Sequence, residues 1–210
     1  MSATAKILVI RFSAMGDVAM TAPVLQEFSQ AYPDAELLVL SRSLFKPFFK
    51  GIPRLQFYPF EPKTKHQGFL GLLRLFMELR KQNITAVADL HHNLRSLILC
   101  ILFFLTGVKL RRVDKGRQEK KRLTRQLHKE LTPLMPTPER YALVFKKLGF
   151  PFKLKHQLPP RHPATITEAL TPFINNQKTG KYIGISPFAQ HLQKVYPLDK
   201  MESVLLQLAM

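Results

Sequence analysis

Residues 6–23, KILVIRFSAMGDVAMTAP, constrain the fold of this chain more than any other stretch. Ile7-Leu8-Val9-Ile10 is a short, mostly β-branched apolar run between polar residues, the pattern of a strand buried on both faces. Arg11 to Asp17 is a small-residue turn with one glycine, and from Val18 to Ser29 apolar residues recur at helical spacing (Val18, Ala22, Leu25, Phe28). Strand, turn and helix in this order open an α/β unit, whose ligands bind at the carboxyl ends of the strands, where this turn lies. Asp17 has two readings there. One is an aspartate stabilised by the unpaired N–H groups of a helix start, a contribution of about 0.3–1 kcal/mol. The other is a carboxylate at the rim of a cleft, placed to act as a general base. The local sequence favours the first.

The rest of the chain repeats the α/β alternation. Glu36–Leu40 reads as a second strand and Leu44–Lys50 as a short helix. Leu55–Phe60 reads as an edge strand, because Pro59 has no N–H to donate. Gly68–Lys81 predicts an amphipathic helix with Phe69, Leu72, Leu73, Phe76 and Leu79 on one face, and Ala86–Leu90 another buried strand. A helix over Ser96–Thr106 ends at Gly107, a left-handed cap. Val108–Val113 is strand-like, and Tyr141–Leu148 is a helix closed by Gly149. Prolines 151, 159, 160 and 163 then mark a stiff linker. Beyond it, a helix over Ile166–Asn175, a strand over Tyr182–Ser186 and a helix from Asp199 begin a second α/β unit. The division expected is residues 1–158, a linker at 159–166, and 167–210.

Cys100, the one cysteine, excludes an internal disulfide, and its apolar neighbours predict a buried, inert thiol. It sits in the longest apolar run, Leu97–Leu105, which is far shorter than the about 20 residues of a membrane span and so predicts a core helix. With no secretory signal visible, the expected location is the cytoplasm, with one face on a membrane at most. His91 and His92 are adjacent, so their side chains diverge and do not make a metal pair, and their role stays open.

Charge narrows the partners. The formal net charge is +18, so the protein meets something anionic: nucleic acid, a membrane surface or a phosphorylated substrate. The excess concentrates in Lys109–Lys129, where only Asp114 and Glu119 are acidic. A surface that stacks nucleic-acid bases interleaves aromatic residues with basic ones, and this tract has none, which favours phosphate or anionic lipid.

The stretch around Asp17 resembles the opening of the glycosyltransferase family 9 heptosyltransferases, which add heptose from ADP-heptose to lipopolysaccharide core. The likeness lies in the buried strand Ile7–Ile10, Arg11, the turn Ser13-Ala14-Met15-Gly16-Asp17 and Thr21-Ala22-Pro23. It implies a GT-B fold, an N-terminal Rossmann-like parallel-sheet domain facing a second one. It makes Asp17 the catalytic base, ahead of the capping reading. It places Ser13 on the acceptor side. Arg95, in the loop after the strand Ala86–Leu90, matches a basic residue that reaches the acceptor. Arg112-Val-Asp-Lys-Gly-Arg117 resembles a segment that contacts the phosphorylated inner core, which implicates Arg117 and Lys121. Ile183–Pro187 with Lys194-Val195-Tyr196-Pro197 resembles the second-domain motif that holds the donor diphosphate, through Ser186 and Lys194. Strand-end hydroxyls and an ammonium suit a pyrophosphate.

The resemblance thus implies an inverting transferase with a nucleotide-sugar donor, a phosphorylated lipid-linked saccharide acceptor at the inner face of an anionic membrane, and neither cofactor nor metal. It reaches only the first domain and the beginning of the second, so the 210-residue chain is expected to be truncated and inactive alone. Two other readings compete. A nucleic-acid-binding module rests on net charge alone. A dinucleotide oxidoreductase lacks its G-x-G-x-x-G turn, since the first turn holds only Gly16.

Overall fold

The computed structural model describes residues 5–156, 183–189 and 192–208, and the chain divides into two compact units, Met1–His162 and Pro163–Met210. The first is an α/β layer structure on a five-stranded sheet. Its strands are β1 (Lys6–Ile10), β2 (Glu36–Ser41), β3 (Leu55–Pro59), β4 (Ala86–Asp89) and β5 (Lys109–Arg112). All pairings are parallel, in the order β3-β2-β1-β4-β5, with Val9 opposite Val39 on one side and Ala88 on the other. Side chains of a strand alternate between faces. Ile7, Val9, Leu37 and Val39 therefore point to one core, and Leu8, Ile10, Leu38 and Leu40 to the other. Helices cover both faces, which is why β1 reads as an unbroken apolar run. The expected edge strand is at the edge: β3 places Pro59 where no ladder bond is lost.

The first core is closed by α2 (Thr21–Ala31), the 3-10 helix Ser43–Phe49 and α6 (Thr137–Leu148). The second is closed by α3 (Gly68–Arg80) and α4 (Leu94–Phe104). The helix expected over Val18–Ser29 is two helices, α1 (Met15–Ala19) and α2, which meet at Met20. Pro23 has no N–H to give the carbonyl of Ala19, so the hydrogen-bond ladder breaks there. A short α5 (Arg117–Leu123) follows β5.

Three expectations on packing need correction. Phe69 points outward, because the buried stripe of α3 is Gly71, Leu72, Leu75, Phe76 and Leu79. The apolar α4 is only half a core helix: Leu99, Cys100 and Phe103 are buried, whereas Ile101, Phe104 and Leu105 are exposed. In the second unit, Ile183–Ser186 pairs with no strand among the described residues, since an apolar run makes a strand only beside a ladder partner. That unit shows a 3-10 turn, Leu192–Lys194, and α7 (Leu198–Leu208), and none of its described residues is buried. The expected linker at 159–166 and helix at 166–175 lie outside the described residues. Among the described residues, no helix is long and apolar enough to cross a membrane.

Candidate functional site

β1 and β4 are neighbours whose outgoing connections run to opposite sides of the sheet, β1 toward β2 and β4 toward β5. A crevice opens at the carboxyl ends of such a strand pair. Arg11 leaves β1 into it and is almost wholly buried, at 7% exposure. Its Nη1 donates to the Leu90 carbonyl at 2.6 Å, Nη2 pairs with Oδ2 of Asp17, and the guanidinium lies over the Tyr141 ring, 5.8 Å from its centroid. Asp17 sits in the first turn of α1, but no side chain caps that helix. Its carboxylate is held by Arg11 and its side chain is 42% exposed.

The loop after β4 is built on Asp89, which has no solvent exposure. Oδ1 accepts from the backbone N–H groups of His91 and His92, each at 2.9 Å, and Oδ2 from the Ser96 hydroxyl and Arg112 Nε, each at 2.8 Å. A buried carboxylate is tolerated only when its lone pairs are satisfied in this way. Asn93 and Ser96 form a reciprocal capping box at the start of α4. His91 packs edge-on against Phe12 and bonds the Ser13 backbone. Burial first, and then the charge of Arg11, push its imidazole down to about 4, so it is neutral at pH 7. His92 turns the other way and its Nδ1 meets the Val113 carbonyl at 2.6 Å. The adjacent histidines diverge. Cys100 is buried, and burial together with Asp89 pushes its thiol up to about 12.

The basic segment after β5 closes the crevice. Gly116 adopts φ 60° and its N–H donates to Asp114 Oδ1 at 2.8 Å. A Cβ there would stand 2.5 Å from the Arg140 guanidinium. Arg140 fastens the segment to α6: its Nη2 pairs with Glu119 at 2.5 Å and its Nη1 donates to the Asp114 carbonyl at 3.3 Å. A cavity of about 400 Å³ opens here, with Arg11, Asp17, Lys115, Lys120, Thr137 and Tyr141 in its wall. Next to it, a cavity of about 500 Å³ is lined by His92, Lys115, Arg117 and Arg122. Lys115 faces both. Burial first, then the charges of Arg11 and Arg117, lower its pKa, against the opposing pull of Asp89 and Asp17. The Tyr141 phenol is pushed up to about 12, chiefly by burial.

The structure thus joins a carboxylate oriented by a buried arginine to an open cavity with two ammonium groups at its edge. Such a site suits deprotonation of a hydroxyl on an anionic molecule. Ser13 is half-buried in the β1 turn and Asp17 lies at the cavity, while Arg117 lines the adjoining one. Arg95 is exposed on the first turn of α4. Lys121 is exposed on α5, whereas its neighbour Lys120 faces Asp17's cavity. Ser186 and Lys194 belong to the second unit, both exposed, Lys194 closing the 3-10 turn. Sequence reasoning missed Lys115, Lys120, Arg140 and Tyr141, and gave Arg11 no task. Arg11 had a signal, a lone cation at the end of a fully apolar strand. Tyr141, 124 residues from Asp17, had none.

No protein-family model matches the chain. It is 27% identical over 93 residues to the lipopolysaccharide core heptosyltransferase OpsX of Haemophilus influenzae, a match that takes in 44% of this chain and 26% of the relative. It is 34% identical over 95 residues to lipopolysaccharide heptosyltransferase 1 of Campylobacter coli, or 45% of this chain and 27% of that one. Its fold is similar to the crystal structure of the glycosyl transferase family 9 protein of Veillonella parvula, with a TM-score of 0.67 at 19% identity over 96% of this chain. It is also similar to E. coli heptosyltransferase WaaC with ADP-2-deoxy-2-fluoro heptose, with a TM-score of 0.61 at 18% identity over 97% of this chain. The chain spans 59% and 65% of those two structures, and about a quarter of the two relatives in the matched stretches. The resemblance to family 9 heptosyltransferases therefore holds in sequence for part of the chain, and the α/β fold matches that of glycosyltransferases.

Proposed function

We propose that this chain carries the acceptor side and the catalytic carboxylate of a glycosyltransferase that moves a heptose-type sugar from an ADP-sugar to lipopolysaccharide core or a related phosphorylated glycolipid. Asp17 takes the proton of the acceptor hydroxyl while that oxygen attacks the anomeric carbon. The new C–O bond forms as the bond to the diphosphate breaks, a single displacement that inverts the configuration. The electron pair leaves with the diphosphate, whose charge Lys194 and the Ser186 hydroxyl offset. Ser13, Arg95, Arg117 and Lys121 are the acceptor contacts carried by the family resemblance, and Lys115 and Lys120 join them because they face the cavity beside Asp17. The acceptor is lipid-linked and is met at the inner face of the membrane.

The observation that carries this reading is Asp17, held by the buried Arg11 at the mouth of the cavity. General-base catalysis contributes about 10²–10⁴-fold. Asp17→Asn is expected to lower kcat by at least about 100-fold with little change in acceptor affinity. Turnover is measured on this chain together with any sequence that continues it in its gene, because it spans 59% and 65% of the solved transferases. The 210-residue chain alone is expected to bind acceptor without completing transfer. A nucleic-acid-binding reading rests on net charge alone, and the likeness to heptosyltransferases does not favour it.

A further inference from the structure

A helix that is apolar all round belongs in a core. α4 breaks that rule. Arg95 is its one charged residue, yet only its Ser96–Leu99–Cys100–Phe103 side is buried, and Ile101, Phe104 and Leu105 stand 50%, 68% and 75% exposed. α3 lies beside it on the same face of the sheet, with the Phe76 and Phe103 rings 5.1 Å apart, and it turns Phe69, Leu70 and Met77 outward at 63%, 78% and 54%. Leu70, Leu73 and Met77 follow one helical stripe. The outer sides of two neighbouring helices therefore form an apolar face, of the kind that marks an interaction surface.

Charge identifies its occupant. Between residues 68 and 104, which span both helices, there are four Lys or Arg residues and two acidic ones, Glu78 and Asp89. Both acids are engaged: Asp89 is buried on Arg112, and Glu78 binds Lys65 and the Tyr58 hydroxyl. Arg74 on α3, Arg80 and Lys81 at its end and Arg95 on α4 are all exposed. Apolar side chains framed by unpaired cations suit the interface of an anionic bilayer, where the chains enter the acyl boundary and the cations meet the headgroups. A second copy of this chain would bring another +18 against the same face.

We infer that the outer face of α3 and α4 docks this protein on an anionic lipid surface. The face adjoins the site: Leu94 and Arg95 follow directly on the His91–Asn93 loop, at the carboxyl edge of the sheet. A lipid-anchored acceptor would then emerge beside Asp17. The biological sense of this surface rests on the lipid-linked-acceptor reading. The test contains neither donor nor acceptor, so its failure leaves the transfer reading standing.

The chain is sedimented with vesicles of phosphatidylcholine and phosphatidylglycerol in a three-to-one mixture, and with phosphatidylcholine alone. Binding to the anionic vesicles only is expected. Ile101→Glu with Leu105→Glu should weaken it by at least about tenfold. Leu127→Glu with Leu131→Glu changes net charge equally at two other exposed leucines and should weaken it far less. Leu70→Gln with Met77→Gln, which leaves charge unchanged, should also weaken it, with the circular dichroism of each variant matching the parent. Equal losses for the two glutamate pairs would mean adsorption by net charge and would overturn the inference. So would a dimer in sedimentation velocity that Ile101→Glu with Leu105→Glu dissolves, with no vesicle binding by the parent.

Discussion

Two loops flank the crevice, and they are built in opposite ways. The loop after β4 is organised from within: Asp89, fully buried, gathers two backbone N–H groups, a hydroxyl and a guanidinium. The segment after β5 is organised from one side. No residue of α5 is buried, and its main tie to the core is Arg140 reaching from α6. The first arrangement fixes atoms, and the second presents charge. The proposed transfer would use both: the carbonyl of Leu90, at the start of the first loop, holds Arg11 and through it Asp17, and the cations of the second would meet an anionic acceptor.

The contrast is broken most severely at Asp89. Asp89→Ala removes the acceptor shared by Arg112 Nε, the Ser96 hydroxyl and two backbone N–H groups, and breaking a buried pair costs about 3–5 kcal/mol. Urea denaturation should show that loss. A smaller loss would mean that water replaces the carboxylate and that the loop is less closed than its contacts indicate.

His91 gives the same loop a pH dependence. Its folded pKa of about 4 lies below the ordinary 6.5, so the unfolded chain binds the proton first as pH falls. The stability that the neutral ring contributes is full above pH 6.5 and is lost progressively down to about pH 4. Over that window the parent should lose up to about 3 kcal/mol more than His91→Gln. Parallel curves for the two proteins would remove His91 from the account.

The basic segment is sharpened by a milder change. Gly116→Ala puts a side chain into the left-handed region and against the Arg140 guanidinium. A cost of about 1–2 kcal/mol is expected, with weakened binding of a phosphorylated saccharide by calorimetry and unchanged hydrogen exchange in β1 and β4. Exchange that rises throughout the sheet would show that the segment is part of the rigid body.

These differences also explain what the sequence disclosed. The three central strands were legible because buried parallel strands impose short apolar runs such as Ile7–Ile10 and Leu37–Leu40, while the edge strands β3 and β5 were read from mixed, strand-like segments. The strand–turn–helix context placed Asp17 at the strand-end turn, and its reading as a base came from the family resemblance. The break in the first helix was legible only through Pro23, and was missed. Lys120 was not separable from Lys121, since adjacent basic residues on a short helix differ only by its rotation about its axis. Tyr141 and Arg140 reach the site from α6 through the tertiary fold, and no local pattern marks such a return. The exposure of α4 was hidden for a related reason: periodicity shows that a helix is apolar, not whether neighbours cover it.

The central claim is that Asp17, held by Arg11, is the base. Its most direct test is single-turnover transfer from ADP-heptose to a phosphorylated core saccharide by the polypeptide that carries this chain, parent against Asp17→Asn. The account predicts that the variant binds both substrates and transfers at least about 100-fold more slowly. Transfer at close to the parent rate would contradict it.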